Sequence, residues 1–191
     1  MNYYIADTHF GHTNMILKHD KRPFKTIEEH DEVIINNINA VVTKQDNLYF
    51  LGDVSWHNPV ETAKLLSKIN CKNLFLIKGN HDRWSKDGRC QKMFQGIYDY
   101  KQIEDNGRQV FLSHFPVMMY PGQHRGMIHL YAHVHNTNEE KDYQEFVSIL
   151  NNRIKERDGE RFNSLRAYNV GCMLWDYKPV ILYEILNKKT H

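Results

Sequence analysis

The chain has only three cysteines, Cys71, Cys90 and Cys172, scattered with no CxxC spacing. Their scarcity excludes a disulfide scaffold and points to reduced, buried thiols in a cytoplasmic protein. Long hydrophobic runs are lacking too: none approaches the roughly 18 residues of a membrane span, so no membrane is expected as a partner. No secretory leader is expected, since the first apolar run, "YYIA", begins at Tyr3 and passes straight into polar residues. Charge of one sign is equally scarce, with a formal net charge of +2. That does not announce a nucleic-acid binder, although a local basic patch is compatible with it. Internal repeats, low-complexity tracts and Gly/Ser linkers are absent. The 191 residues, 41% of them hydrophobic, are therefore expected to form a single domain spanning 1–191 around a sizeable core.

Histidine, by contrast, is abundant at 12 residues, and only His191 is terminal. An expression tag would cluster at an end, so the spread asks for metal binding or acid–base chemistry. The pattern of elements alternates strand and helix. Thr26 and Glu29 form a capping box ahead of a helix with Val33, Ile34, Ile38, Val41 and Val42 as its apolar stripe. Asn58 followed by Pro59 starts a second helix, expected to reach about Ile69. A third is expected over Asp142 to about Arg157, with Tyr143, Phe146, Ile149, Leu150 and Ile154 inward. The charged stretch Arg157–Asn163 reads as a mobile loop.

Between these helices lie five apolar runs, each ending in Asp, Asn or His. "YYIA" ends in Asp7-Thr8-His9 and "LYFLG" in Asp53. "LFLIKG" ends in Asn80-His81-Asp82, "VFLS" in His114 and "IHLYA" in His133-Val134-His135. In open α/β sheets the carboxyl edge of the strands is where ligands bind. Five polar endings on one edge of one sheet exceed what turn preference explains. The converging groups are Asp7, His9, Asp53, Asn80, His114, His133 and His135: imidazoles, carboxylates and one amide, without a thiolate. Such a set suits Mn²⁺, Fe, Zn²⁺ or Co²⁺. Seven groups exceed the needs of one ion and match two divalent ions sharing a carboxylate, the arrangement used for in-line attack on phosphorus esters by a bridging hydroxide.

"DTH", "GD", "GNHD", "SH" and "AHVH", in this order between residues 7 and 135, resemble the motif series of the calcineurin-like metallophosphoesterases. The resemblance implies an α/β fold, a four-layer α/β/β/α sandwich, with "RAYNVG" and "PVILYEIL" as later strands of the second sheet. It implies Asp7, His9 and His135 as ligands of a first metal, Asn80, His114 and His133 of a second, and Asp53 as the bridge. His81 matches the family's non-ligand histidine, held near the phosphate to stabilise or protonate the leaving oxygen. Ala132 stands where the family usually has Gly. "GDVSWHN" lacks the Arg and Asp of the protein phosphatases' GDxVDRG, which argues against that activity.

The expectation is a dinuclear phosphoesterase acting on a phosphate ester, with a lean towards diesters. A nuclease or end-processing enzyme on the same fold is the alternative, with Lys18–Lys25 and Tyr120–Gly126 as its basic, aromatic-bearing segments and a nucleotide or nucleic acid as substrate. A non-catalytic scaffold is disfavoured because every ligand position is filled. Two residues are candidates for substrate binding. His12 either contacts substrate or caps its loop. Arg22, stiffened by Pro23, either grips a phosphoryl oxygen or pairs on the surface with Glu28 or Glu29.

Overall fold

The structure is a computed structural model that describes residues 1–158 and 164–188, excluding the side chains of residues 157 and 158. Strands β1 (Asn2–Ile5), β2 (Asn47–Phe50), β3 (Asn73–Ile77) and β4 (Gly96–Tyr98) run parallel in one sheet. Its far edge is β9 (Val180–Ile181), antiparallel to β1. A second sheet has the order β5 (Tyr100–Asp105), β6 (Arg108–Ser113), β7 (Ile128–Tyr131), β8 (Arg166–Asn169). The described elements also include helices α1 (Asn14–Leu17), α2 (Ile27–Val41), α3 (Pro59–Leu66), α4 (Gly88–Gln91), α5 (Asn138–Asp158) and α6 (Leu182–Asn187), with short 3₁₀ turns at Arg83–Lys86, Gln123–Arg125 and Cys172–Leu174.

The period-2 alternation of the strands explains how they stack. In β2 and the residue after it, Leu48 and Phe50 join one apolar cluster with Ile34, Ile38 and Leu66 of α2 and α3. Tyr49 and Leu51 point the other way, into a cluster with Val110, Leu112, Ile128 and Leu130 of the second sheet. On that sheet's outer face Phe111 and Tyr131 pack with Tyr143, Val147 and Ile154 of α5. Three stacked cores separate four layers, α/β/β/α.

The expected caps form. The Thr26 hydroxyl accepts the Glu29 N–H, and the Asn58 side chain accepts from Val60 and Glu61. The inward face of α2 is His30, Ile34, Ile35 and Ile38, so Ile35 replaces Val33 and Val41 in the expected stripe. The third helix starts earlier than expected, at Asn138, and α3 stops at Leu66 rather than Ile69. Ile149, expected inward, is exposed. The expected loop Arg157–Asn163 lies, from residue 159 onward, outside the described residues.

Two expectations are corrected. The polar strand ends do not share one sheet: β1, β2 and β3 belong to the first, and β6 and β7 to the second. Nor is Pro179–Leu186 a strand of the second sheet. Val180 and Ile181 pair with β1 in the first, and the chain then becomes helical. Buried Leu182 and Ile185 are spaced by three, which is the helical period, and the Glu184 carboxylate accepts the Ile181 N–H to cap the turn. All three cysteines are free and buried. Among the described residues no helix is long and apolar enough to cross a membrane.

Candidate metal centre

The two sheets face each other, so the carboxyl ends of β1, β2 and β3 meet those of β6 and β7 across a single cleft. Each candidate ligand follows a strand and must turn its side chain sideways into that cleft. Asp7, His9, Asp53, His133 and His135 do so by adopting positive φ, between 48° and 73°. This region is strained for residues bearing a Cβ, although Asp and His tolerate it better than most. Gly52, at φ +86°, brings the β2 turn against His114, and a Cβ there would collide with the imidazole.

The side chains gather in two trios, Asp7–His9–His135 and Asp53–His114–His133, each with its ligand atoms within 4.8 Å of one another. Asp53 Oδ2 lies 3.8 Å from His9 Nε2 in the first and 3.5 Å from His114 Nε2 in the second. Asn80 Oδ1 approaches His114 Nε2 at 3.1 Å. All seven sequence-derived ligands are thus brought together, with Asp53 between the two groups.

Hydrogen bonds outside the trios aim the rings. His135 Nδ1 donates to Asp20, at 2.8 Å and 2.9 Å to its two oxygens, which in the neutral ring leaves Nε2 as the lone-pair nitrogen, turned inward. His114 Nδ1 faces the Leu51 carbonyl at 2.8 Å in the same manner. Nitrogens of different rings consequently meet each other, His9 Nε2 and His135 Nε2 at 3.3 Å and His133 Nδ1 and His114 Nε2 at 3.2 Å. Lone pairs in such contact need a proton or a cation between them.

Asp7 makes the stronger case for a cation. It is fully buried, its Oδ2 accepts the His133 N–H, and its Oδ1 has no hydrogen-bond partner. Burial pushes its carboxyl up, against the pull of His135 and His114. A buried carboxylate oxygen left unpaired is costly, and a divalent ion removes that cost. Burial also opposes charge on His114, but the neighbouring Asp53 and Asp7 carboxylates outweigh it and raise the imidazole to about 9. A metal ion competes with that proton for Nε2. The donor set therefore fits two divalent ions held by nitrogen and oxygen ligands.

The calcineurin-like phosphoesterase family profile matches residues 3–189. The chain belongs to this family. An uncharacterised protein of Methanocaldococcus jannaschii is 32% identical over 182 residues, 94% of this chain and 86% of the relative. The crystal structure of a protein of unknown function from Aquifex aeolicus superposes with a TM-score of 0.70 at 29% identity, covering 97% of each chain. As a member of the family, the protein is a metal-dependent phosphoesterase.

Within this phosphoesterase His81 stands at the cleft with its side chain 40% exposed and Nε2 4.0 Å from Asp53 Oδ2. Its backbone N–H donates to Asp53 Oδ1 at 2.9 Å, coupling the histidine to the shared carboxylate. His12 is nearly buried, stacks on Trp56 at 3.9 Å and sets Nδ1 3.3 Å from His9 Nδ1, so it braces a ligand.

Arg22 requires a correction under both of its sequence readings. It is buried, not on the surface beside Glu28 or Glu29, and its guanidinium spends every N–H. Nε and Nη2 donate to Asp20 Oδ2, Nη2 also to the Asp7 carbonyl, and Nη1 to the Thr8 carbonyl and His30 Nε2. With five donors engaged, none remains for a phosphoryl oxygen.

Sequence reasoning missed three residues that position the site. Asp20 links Arg22 to His135. Asp82, buried, accepts the N–H groups of Asp53, Val54 and Gly79 and ties the β2 loop to the β3 loop. Burial lifts its carboxyl to about 6 despite those donors. Asn169 donates to the His135 carbonyl and accepts from Gly171. Asp82 stood inside "GNHD", where its place in the motif was the available signal; Asp20 and Asn169 had none.

Proposed function

We propose that the protein hydrolyses phosphate esters, diesters in preference, at a dinuclear centre held by Asp7, His9 and His135 on one side and Asn80, His114 and His133 on the other, with Asp53 shared. The observation that carries this reading is the unpartnered, buried Asp7 Oδ1 amid imidazole nitrogens that face each other. Bound Mn²⁺, Fe, Zn²⁺ or Co²⁺ would supply Lewis acidity and an activated water at neutral pH. Asp20 and the Leu51 carbonyl hold His135 and His114 in the ligand tautomer. His81, exposed at the cleft and fixed by its backbone bond to Asp53, protonates or stabilises the departing oxygen.

A matrix of divalent metals against chromogenic monoesters, diesters and single-stranded DNA tests the reading. Two ions per chain and faster diester turnover are expected. A ceiling of one ion at saturating metal removes the dinuclear centre, and DNA as the best substrate moves the assignment to a nuclease. His81→Ala should keep both ions and lower kcat by roughly 10²–10⁴. That loss should be larger for alkyl than for p-nitrophenyl leaving groups; equal losses remove the acid role.

A further inference from the structure

Beside His81 lies a cavity of about 550 Å³ whose walls include Trp56, Pro59 and Trp84, with His57 and Arg83 among its polar residues. Its volume falls in the range of small-molecule sites. Large apolar side chains are normally withdrawn from water, yet the Trp56 indole is 46% exposed here. It is also held rigidly. His12 stacks on it at 3.9 Å and 8°, the His81 ring lies 4.4 Å away, and its backbone N–H donates to the Phe10 carbonyl at 2.8 Å. A preorganised indole loses little entropy when a flat ring is laid against it.

A further feature narrows the occupant. The side chain of Arg83, exposed and two residues past His81, makes no hydrogen bond or ion pair among the described residues and also lines the neighbouring cavity beside Asn80. An aliphatic chain would offer this guanidinium no acceptor, and a sugar would gain little from two indoles and a proline. A planar heterocycle with ring acceptors offers both a stacking face and an acceptor.

We propose that this cavity receives the nucleobase of the leaving alcohol, so that the preferred substrates are phosphate esters of nucleosides. The proposal rests on the phosphoesterase reading for its orientation: His81 serves the departing oxygen, and the cavity opens beside His81, so the departing group lies there. Trp56 is then a specificity residue, and Arg83 steadies the base or the ester beside it.

Two measurements separate this proposal from the reading beneath it. The first is binding, on the metal-reconstituted protein, of adenosine and of 1-O-methylribose, neither of which carries a phosphate to be cleaved. Tryptophan fluorescence should show adenosine bound at least about tenfold more tightly, the usual scale for one stacked base. Trp56→Ala should erase the difference and Trp56→Phe should retain most of it, with metal content and melting temperature unchanged in both. Equal affinity for the two ligands in the wild type, or an unchanged preference in Trp56→Ala, overturns the proposal. The second is hydrolysis of adenosine 5′-methyl phosphate against the same diester lacking the base. The leaving oxygen is identical, so a ratio of kcat/KM near one also overturns the proposal while leaving the phosphoesterase reading intact. Adenosine preference with no hydrolysis of either ester under any metal keeps the cavity and sinks the reaction.

Discussion

Replacing Arg22 tests whether the centre is built from below. The guanidinium is 2% exposed and anchors the carbonyls of Asp7 and Thr8, the Asp20 carboxylate and His30 Nε2. Arg22→Ala leaves two carbonyls without this donor and the Asp20 carboxylate without its cation. Removing one partner of a buried pair costs about 3–5 kcal/mol. At about 2–4 °C per kcal/mol for a chain of this length, the melting temperature should fall by about 6–20 °C. Arg22→Lys keeps the charge but offers three donors for five contacts, so at least two hydrogen bonds are lost. At about 1.5–3 kcal/mol for each charge-assisted bond, it recovers only part of the stability. Bound metal would itself raise the melting temperature, so the comparison belongs in chelator. Metal titration then reads the second consequence. Asp20 aims His135, and outer partners of this kind are worth about 10–100-fold in metal affinity. If Arg22→Ala melts like the wild type and binds metal as tightly, but raises KM for the ester, the buried account is wrong and a substrate grip is right.

Two other substitutions probe independent parts of the structure. Gly52→Ala should abolish metal binding at the His114 side, because its Cβ meets the His114 ring and its φ of +86° is unfavourable for alanine; elemental analysis showing two ions would refute this. His129, buried among Phe111, Tyr120 and Tyr131, is pushed down to about 3 by burial, below its unfolded value of about 6.5. Between those values the unfolded chain binds the extra proton, so stability is complete above about pH 6.5 and declines as pH falls towards 3. The loss is about 3 kcal/mol at pH 4.5, and urea midpoints of His129→Gln should show a shallower decline between pH 7 and 4.5 than the wild type.

The clustered donor residues were legible because the signal was local: an apolar run ending in Asp, Asn or His names both the strand and what stands at its end. The same locality hid the division into two sheets, since nothing in the run before His114 says which sheet it joins. Asp20 and His135 are 115 residues apart, so their bond has no sequence signature. Arg22 was misread because a basic loop residue is ordinarily solvated, and its burial follows from where β1 and Cys172 bring the surrounding chain. The histidine excess also divides only in space. His9, His114, His133 and His135 gather in the two trios, His12 packs beside His9 and His81 faces the cleft, while His129 fills a core against Ser113 and Tyr143.

The strained backbone at the ligands bears on whether metal assembles this site or finds it ready. Five ligand residues hold positive φ, and each such residue costs roughly 1–2 kcal/mol. Glycine would remove that cost but carries no ligand atom. The sum, about 5–10 kcal/mol, rivals the net stability of a typical domain, about 5–15 kcal/mol. Something present without metal must therefore offset it. Arg22 holds the carbonyls of Asp7 and Thr8, Asp82 gathers the N–H groups at Asp53, Val54 and Gly79, and Asn169 holds the His135 carbonyl. These bonds join the strained turns to one another and leave the inward-facing donor atoms free. The cleft is thus shaped by its own buried hydrogen bonds, and a bound metal would meet side chains already aimed.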